Sequence, residues 1–387
     1  MHRIAPPLIR HVLEGVRTGE VSTQAAAEVL GLSRNRLYQL FSDYLAAYGP
    51  GMHRNWAPGV SGGDHAPAWP PAVMALLRKR LASDPPASYS FAASEALRVC
   101  GYRLDRAQVR RWAMANDLTH GKVPGRPRAP VRRWQRSRIG ELWQMDATPH
   151  RWFPPSEIQL PMLNMLDDCS RVFVGSKVYE RELLLAYLDF LPAAFLDHGL
   201  PLEIYVDYHS LFFSEVPGAL TALGRALRFY GVSFRYAPTP QAKGKVEREH
   251  HFWQQRLPAY FASEPVSHLL AANTHITALR VHRNQHETHR ELQMTPGKVW
   301  TQAEAQNRSV LRPVPRCPWW PYVWSVQTST RTGPDGRIPI GTHPVRLEIP
   351  PGSRVTLCHH PSGHYSVLAG PPKPETLPLL LFTNRPK

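Results

Sequence analysis

The sequence lacks the long apolar run that a membrane span requires. Its most apolar stretch, LLLAYLDFLPAAFL, is too short and is interrupted by Asp189 and Pro192. The first residues, MHRIAPPLIR, lack the apolar core of a secretory signal. We therefore expect a protein with no membrane partner that works in the cytoplasm.

Cysteine is also scarce. The 387 residues include only 4 cysteines, and no two of them form a CxxC pair. This spacing supports neither a disulfide framework nor a zinc site, and it fits a reducing compartment.

Acidic residues are few relative to basic ones. There are 30 Asp and Glu residues against 46 Lys and Arg, which gives a formal net charge of +16. A field of that sign attracts polyanions, so nucleic acid is the expected partner. The length predicts two to four domains, and 43% hydrophobic residues suffice to build their cores.

Residues 1–50 predict a helix-turn-helix domain. A helix over Gln24–Leu30 is expected to be capped by Thr23 and to end at Gly31, with Ser33 capping the next helix. The exposed start of that second helix carries side chains that read DNA bases, which we predict to be DNA contacts: Arg34, Asn35, Arg36 and Gln39. The alternative is a small helical bundle with solubilising charges.

Residues 65–121 repeat this pattern after a linker rich in Gly and Pro. Helices are expected over Val73–Leu81 and Phe91–Val99, with a turn at Gly101 and a third helix capped by Asp105. We predict that this third helix presents four further DNA contacts: Arg106, Gln108, Arg110 and Arg111.

Residues 122–138, KVPGRPRAPVRRWQRSR, form a basic linker with no acid. Its three prolines exclude a continuous helix. An extended strap along DNA phosphates is expected, with contacts from Arg126, Arg128, Arg132 and Arg133. A merely soluble linker would not need all its charges to be of one sign.

Residues 139–300 alternate strand and helix signals. Five strands are expected over Glu141–Thr148, Gln159–Asp168, Arg171–Tyr179, Leu202–Asp207 and Val232–Ala237. Helices are expected over Glu182–His198, Gly218–Tyr230 and, as one long helix, from Ala242 through Phe261. This order predicts a mixed α/β sheet with helices on its faces.

Residues 301–370 contain short strands separated by Gly, Pro and Asp-Gly turns, which predict a small β-barrel. Residues 371–387 are expected to be a loose Pro-rich tail. The histidines at 359, 360 and 364 could suggest a metal site, but the Pro-Ser-Gly between them favours a hairpin tip.

Three carboxylates stand at positions suited to chemistry. Asp146 lies on the first expected strand, Asp207 directly follows the fourth, and Glu247 lies on the helix that covers them. Converging there, they would hold Mg²⁺ through hard oxygen ligands. The alternative is a solvated helix in which Lys243 pairs with Glu247, and Lys245 with Glu249, across one turn.

Four motifs, WQMDATPHRWF, LDDCSR, YVDYHSLF and PQAKGKVEREHHF, together resemble the integrase core of DDE transposases and retroviral integrases. Bacterial insertion-sequence transposases are the nearest likeness, and HRNQHETHRELQMTPGKVW resembles the segment that closes their domain. The resemblance implies an RNase H-like fold over about residues 136–300. Many relatives have Asn-Gly after the second aspartate, where this sequence has Tyr208 and His209.

The resemblance implies a metal-binding triad of Asp146, Asp207 and Glu247 that holds two Mg²⁺ or Mn²⁺ ions. It leaves Glu249 as a surface residue and gives Asp167 a supporting structural role. Lys243 and Lys245 become the expected contacts to DNA ends.

The implied activity is 3′-end cleavage and strand transfer of a mobile element. The implied partners are terminal inverted repeats, target DNA and further copies of the chain, with helper proteins possible, in a nucleoid-associated bacterial protein. Two alternatives stay open: a domesticated DNA-binding regulator that has lost catalysis, and a structure-specific nuclease on the same fold.

Overall fold

The structure is a computed structural model that describes residues 5–47, 56–58, 69–119, 135–216, 218–237, 244–315, 317–341, 343–373 and 378–384. The chain divides into two compact units, Met1–Pro70 and Pro71–Lys387, and each is considered by itself. Among these described residues, no helix combines the length and the apolar character needed to cross a membrane.

The described part of the first unit contains three helices: α1 (Pro6–Thr18), α2 (Thr23–Val29) and α3 (Arg34–Ala46). Their apolar faces share a core that includes Leu13, Ala26 and Leu37. The expected cap at Thr23 is wrong, because the Ser22 hydroxyl accepts the backbone N–H of Ala25 and α2 therefore begins at Thr23. Ser33 caps α3 as predicted.

The second unit begins with three more helices: α4 (Pro71–Leu81), α5 (Tyr89–Cys100) and α6 (Arg106–Ala115). Asp105 caps α6 as predicted. These helices pack on the rest of the unit through Arg80, which is only 1% exposed. Its guanidinium donates to Glu95 at 2.8 Å and to the Ser263 hydroxyl at 2.7 Å. The region expected as a domain at 65–121 is therefore held to the sheet domain through Arg80, which bonds to Ser263 and also pairs with Glu264 at 3.2 Å.

A mixed five-stranded sheet forms the centre of the second unit. Its strands are β1 (Leu142–His150), β2 (Leu160–Asp167), β3 (Phe173–Val178), β4 (Glu203–Val206) and β5 (Ser233–Tyr236), in the order β3-β2-β1-β4-β5. The first three strands are antiparallel, while β4 runs parallel to both β1 and β5. This confirms the predicted mixed sheet and fits an RNase H-like core.

Helices cover both faces of the sheet because successive residues of a strand point to opposite sides. One face, with Trp143 and Met145, packs against α7 (Leu184–His198) and α8 (Ala222–Phe229). The other, with Leu166 and Phe173, packs against α9 (Gly244–Gln254), α10 (Leu257–Ser263) and α11 (Leu269–His286).

The prediction of a single helix from Ala242 through Phe261 is wrong. The described part of this segment forms two helices, because α9 ends at Gln254 and α10 begins at Leu257. Pro258 lies in the first turn of α10, where its missing N–H and fixed φ suit a new helix start and not a continuing helix.

The C-terminal region follows α12 (Pro296–Ala305) and α13 (Trp320–Val323). Its strands are β6 (Val326–Arg331), β7 (Arg337–Ile340), β8 (His343–Arg346), β9 (Arg354–His359), β10 (Tyr365–Leu368) and β11 (Leu380–Thr383). In the described residues they form a four-stranded sheet, β11-β10-β9-β6, and a two-stranded sheet, β7-β8. Ile338, Val355 and Val367 join the two sheets in one core.

Two expectations for this region need correction. The prediction of a loose tail at 371–387 is wrong for Leu380–Thr383, which forms β11 and pairs with β10. The boundary at 300 also falls too early, since Trp319, Val323 and Trp324 are buried in the core under α7. The predicted hairpin around His360 is confirmed, with β9 and β10 paired on either side of the turn.

Candidate active site

Asp146 lies in β1, and Asp207 directly follows the neighbouring strand β4. In the parallel pair of β1 and β4, Gln144 is opposite Tyr205, which is the last pair in register. Asp146 and Asp207 each lie two residues beyond that pair, and adjacent strands are about 5 Å apart, so we infer that the two residues lie next to each other where β4 ends. The Asp146 side chain is 22% exposed and Asp207 is half-buried, so a ligand can approach both.

Tyr187 on α7 lies close enough to both aspartates to sense their charges. Burial raises the pKa of Tyr187, its hydrogen bond to Glu182 raises it further, and the charges of Asp146 and Asp207 add to the shift. Its hydroxyl donates to Glu182 at 2.7 Å. Because Tyr187 lies near both carboxylates, its position agrees with the alignment of Asp146 and Asp207 that the strand register indicates.

Helix α9 runs alongside β1 in the same direction. At its start, Lys245 bonds to Asp168 beside Gln144, while at its end Gln254 donates to the Thr148 hydroxyl at 3.1 Å. The helical distance from 245 to 254 and the strand distance from 144 to 148 are both about 13 Å. Helix α9 and strand β1 therefore advance by the same distance between these two contacts.

Glu247 is held near the height of Asp146 by this alignment. It precedes Gln254 by seven residues, which is two helical turns, so both lie on the face of α9 turned toward β1. His250, one turn after Glu247, places Nδ1 at 3.8 Å from Asp146 Oδ2. Glu247 itself is exposed.

The expected convergence of three carboxylates is not reached in this structure. Among the described residues, no three His, Cys, Asp or Glu side chains gather closely enough to hold a metal ion. Three carboxylates repel one another unless a cation lies between them. The donor chemistry fits a hard divalent cation at the Asp146 and Asp207 pair, with Glu247 as the neighbouring third oxygen donor.

Glu249 is not the surface residue that was expected. It is buried, with its Oε2 at 3.2 Å from Arg283 Nη2 and its Oε1 at 3.8 Å from His289 Nε2. Burial alone would raise the pKa of Glu249. The charge of Arg283 and the hydrogen bond with His289 outweigh burial and lower that pKa. Glu249 is therefore structural, and the proposed pairing of Lys245 with Glu249 does not form.

Lys245 also departs from expectation. Its side chain is 11% exposed and its Nζ lies 2.5 Å from Asp168 Oδ1. A cation used in this way supports the turn after β2, which argues against the predicted contact with DNA. Lys243 lies outside the described residues.

The turn after β2 explains why Asp167 and Asp168 are not catalytic. Asp167 accepts the backbone N–H groups of Gly140 and Ser170. Asp168 accepts the Gln144 amide at 2.6 Å and the backbone N–H of Arg136 at 2.7 Å. Both aspartates are 0% exposed, so their oxygens are committed inside the protein.

The side chains predicted to contact DNA from α3 and α6 differ in their exposure and in their hydrogen bonds. Arg34, Asn35 and Gln39 are exposed on α3, where Gln39 accepts from the Arg36 guanidinium at 3.2 Å. On α6, Gln108 instead completes a capping box with Asp105. Three predicted contacts on α6 remain exposed: Arg106, Arg110 and Arg111. Arg126, Arg128, Arg132 and Arg133 lie outside the described residues.

Two features of the site were not predicted from the sequence. The contact of His250 with Asp146 depends on the alignment of α9 with β1, and the only signal was its spacing from Glu247. The stacking of Tyr208 on Tyr236 could have been suspected, because Tyr208 follows Asp207 and Tyr236 ends the neighbouring strand.

Comparison with known proteins identifies relatives of this chain. No protein-family model matches it. It is 29% identical over 252 residues to "Putative transposase y4bF" of Sinorhizobium fredii, covering 64% of this chain and 54% of the relative. It is 33% identical over 158 residues to the transposase for insertion sequence IS1202 of Streptococcus pneumoniae, covering 39% of this chain and 32% of the relative. The chain is thus similar in sequence to two bacterial transposases.

This relationship confirms the resemblance that the motifs indicated. The chain spans about half or less of the length of the two transposases it matches. Among solved structures, it is similar to the HTLV-2 integrase catalytic core domain in complex with magnesium, at 19% identity and a TM-score of 0.34, over 41% of this chain and 95% of that one. It is also similar to a simian T-cell lymphotropic virus intasome in complex with PP2A regulatory subunit B56 gamma, at 17% identity and a TM-score of 0.37, over 68% of this chain and 91% of that chain.

Proposed function

We propose that this chain is a DNA transposase that cuts the 3′ ends of a mobile element and joins them to target DNA. The observation that carries the proposal is the register of β1 and β4, which aligns Asp146 with Asp207 at an open edge of the sheet. Glu247 lies on α9, which runs alongside β1, and it contributes the third carboxylate. The relationship to bacterial transposases supports the same activity.

Asp146, Asp207 and Glu247 would hold the divalent cation, Mg²⁺ or Mn²⁺, on which the reaction depends. When bound, such a cation neutralises charge on the reacting phosphate and polarises it toward attack. His250 borders the Asp146 carboxylate at 3.8 Å, so it positions that side chain beside α9. Because no side chain needs to bond covalently to DNA, the chain's own contribution is positioning and charge neutralisation.

DNA binding would come from the exposed basic side chains outside the sheet. Arg106, Arg110 and Arg111 on α6 belong to a helical region that Arg80 joins to the core through Ser263 and Glu264, so they would hold DNA at a set distance from the active site. Arg34, Asn35 and Gln39 on α3 would contact a second DNA segment. Joining two element ends requires at least two active sites, so we expect several copies of the chain to assemble on DNA.

A strand-transfer assay tests this function. The probe is a labelled duplex that ends in the inverted repeat flanking the gene, incubated with purified protein, plasmid target and Mg²⁺ or Mn²⁺. Asp146→Asn, Asp207→Asn and Glu247→Gln should each reduce joining by roughly 10²–10³-fold or more, because each removes charge stabilisation of the transition state. Asp197→Asn, which alters a carboxylate that is 61% exposed on α7, is the matched control and should join normally.

The assay also separates the alternatives. Joining that persists in Asp146→Asn and Glu247→Gln contradicts the catalytic assignment. Cleavage without any joining by the wild-type protein would identify a structure-specific nuclease. Binding of the inverted repeat without cleavage at any metal concentration would identify a regulator.

A further inference from the structure

Three aromatic rings form an exposed cluster directly after Asp207. Tyr208 stacks on Tyr236 with ring centroids 5.1 Å apart and an interplanar angle of 19°. Phe213 meets both rings edge-on, at 5.2 Å from Tyr208 and 5.4 Å from Tyr236. Tyr208 is 57% exposed and Phe213 is 36% exposed. Tyr208, Phe213 and Tyr236 are called the aromatic platform below.

The platform rests on a fixed base. The Tyr236 hydroxyl donates to the backbone carbonyl of Phe212 at 2.9 Å. Phe212 is 7% exposed and packs edge-on against Tyr187, with centroids 5.1 Å apart. The Asp207 carboxylate accepts the backbone N–H of His209 at 3.2 Å, which sets the direction of the chain through Tyr208. The outer rings are therefore held in place while their surfaces stay open.

The position of the platform relates it to the active site. Tyr208 directly follows Asp207 in the chain, so the platform begins at the residue next to the candidate phosphate site. Tyr187, which packs against Phe212, lies near enough to Asp146 and Asp207 for their charges to raise its pKa. A nucleotide bound by its phosphate at these aspartates would extend its base away from that phosphate, toward the neighbouring surface where the platform lies.

Aromatic rings with open faces suit nucleobases. Every base has a π-face, and bases of single strands stack on exposed aromatic side chains largely independently of sequence. Bases inside an intact duplex already stack on each other, so only an unpaired or extruded base can use such a surface. The net charge of +16 favours a nucleic acid over an apolar peptide as the occupant.

We propose that the aromatic platform binds an unpaired base of the DNA strand next to the phosphate that is cut or joined. The proposal rests on the function proposed above, because it takes Asp146 and Asp207 as the phosphate site. It gives a role to the exposed Tyr208 that directly follows Asp207. Stacking there would favour DNA ends that have opened over ends that are fully paired.

Two DNA probes of arbitrary sequence test the proposal by binding alone, in Ca²⁺, a hard cation that carboxylate oxygens bind. One is a forked duplex with three unpaired terminal nucleotides that include 2-aminopurine, and the other is the same duplex fully paired. Fluorescence anisotropy measures affinity, and quenching of 2-aminopurine reports stacking. The wild-type protein should bind the fork about tenfold more tightly and quench its fluorescence.

The variants separate stacking from a purely structural role. Tyr208→Ala and Phe213→Ala should reduce the preference for the fork to near unity, whereas Tyr208→Phe and Tyr208→Trp should retain both preference and quenching. Val216→Ala alters an aliphatic residue in the same loop that is 64% exposed, and it should behave as wild type.

An unchanged preference in Tyr208→Ala and Phe213→Ala would overturn the proposal. So would an equal loss of affinity for both probes, since the rings would then serve only the loop or the DNA backbone. A wild-type protein with no fork preference would overturn it as well and would leave a protein partner as the better occupant. If the strand-transfer assay fails but the Tyr208-dependent preference persists, the proposed function fails and the stacking site stands.

Discussion

Two aspartates lie near β1, and the protein treats them in opposite ways. In the turn after β2, beside the start of β1, Asp168 is 0% exposed and accepts bonds from Gln144, Lys245 and the backbone of Arg136. Within β1, Asp146 is 22% exposed and aligned with Asp207. The same residue type is thus neutralised by the fold at one position and left accessible to a ligand at the other.

Helix α9 repeats this contrast within a single turn. Glu249 is buried against Arg283, whereas Glu247, two residues earlier, is exposed on the face turned toward β1. A carboxylate with a buried cationic partner has little capacity left for a metal ion. The difference between structural and functional acids is therefore a difference in partners, and each prediction below changes one side of that comparison.

The largest effect on stability is expected at Asp168. Asp168→Ala removes the acceptor that Lys245, Gln144 and the Arg136 N–H share and should lower the free energy of unfolding by about 3–5 kcal/mol. Asp146→Asn should change it by no more than about 0.5 kcal/mol. Urea unfolding followed by the fluorescence of the buried tryptophans measures both. Equal losses in the two variants would remove the distinction between the two aspartates.

A smaller effect is expected on α9. Glu249→Gln removes the charge that faces the buried Arg283 and should cost about 1–3 kcal/mol. Glu247→Gln, two residues away, should leave stability unchanged within about 0.5 kcal/mol while it reduces strand transfer. The same urea titration provides the comparison. If Glu247→Gln destabilises the protein as much as Glu249→Gln does, Glu247 is structural.

An effect that only a change of pH reveals is expected at Asp167. Burial raises the pKa of Asp167 from its ordinary value of 3.8 to about 6, against the lowering effect of its hydrogen bonds to Gly140 and Ser170. The folded state then holds the proton that the unfolded state has already released. Stability should therefore fall as pH rises from about 4 to about 6, by at most about 1.4 kcal/mol per pH unit.

The matched variant for this prediction is Asp167→Asn, which has no proton to release. The difference in unfolding free energy between wild type and Asp167→Asn should change between pH 4 and pH 6 and be flat above pH 7. A difference that stays constant across the whole range would show that Asp167 keeps an ordinary pKa in the fold.

Local sequence signals predicted the elements well. Runs of residues typical of strands predicted all five strands of the central sheet, and Ser33 and Asp105 marked helix starts, because these features depend on residues close in the chain. The expectation that Asp146, on the first strand, and Asp207, directly after the fourth, lie on adjacent strands came from the rule for open sheets and from the resemblance.

Contacts between residues distant in sequence determined the features that local sequence patterns did not predict. Glu249 looked like a surface acid because Arg283 lies on another helix, and Lys245 looked like a free cation because Asp168 lies in another turn. Strand β11 was hidden in a Pro-rich segment, since its pairing with β10 supplies the order that its own residues do not. The capping role of Gln108 was likewise masked by its resemblance to a base-reading side chain.

Direct measurement of metal binding tests the central claim, that Asp146 and Asp207 form an accessible cation site which Glu247 completes. Titration with Mn²⁺, followed by the electron paramagnetic resonance signal of the free ion, reports binding without any reaction. We expect wild type and Asp197→Asn to bind Mn²⁺ alike, Asp146→Asn and Asp207→Asn to lose the binding, and Glu247→Gln to weaken it less. Binding that is unchanged in Asp146→Asn and Asp207→Asn would contradict the account.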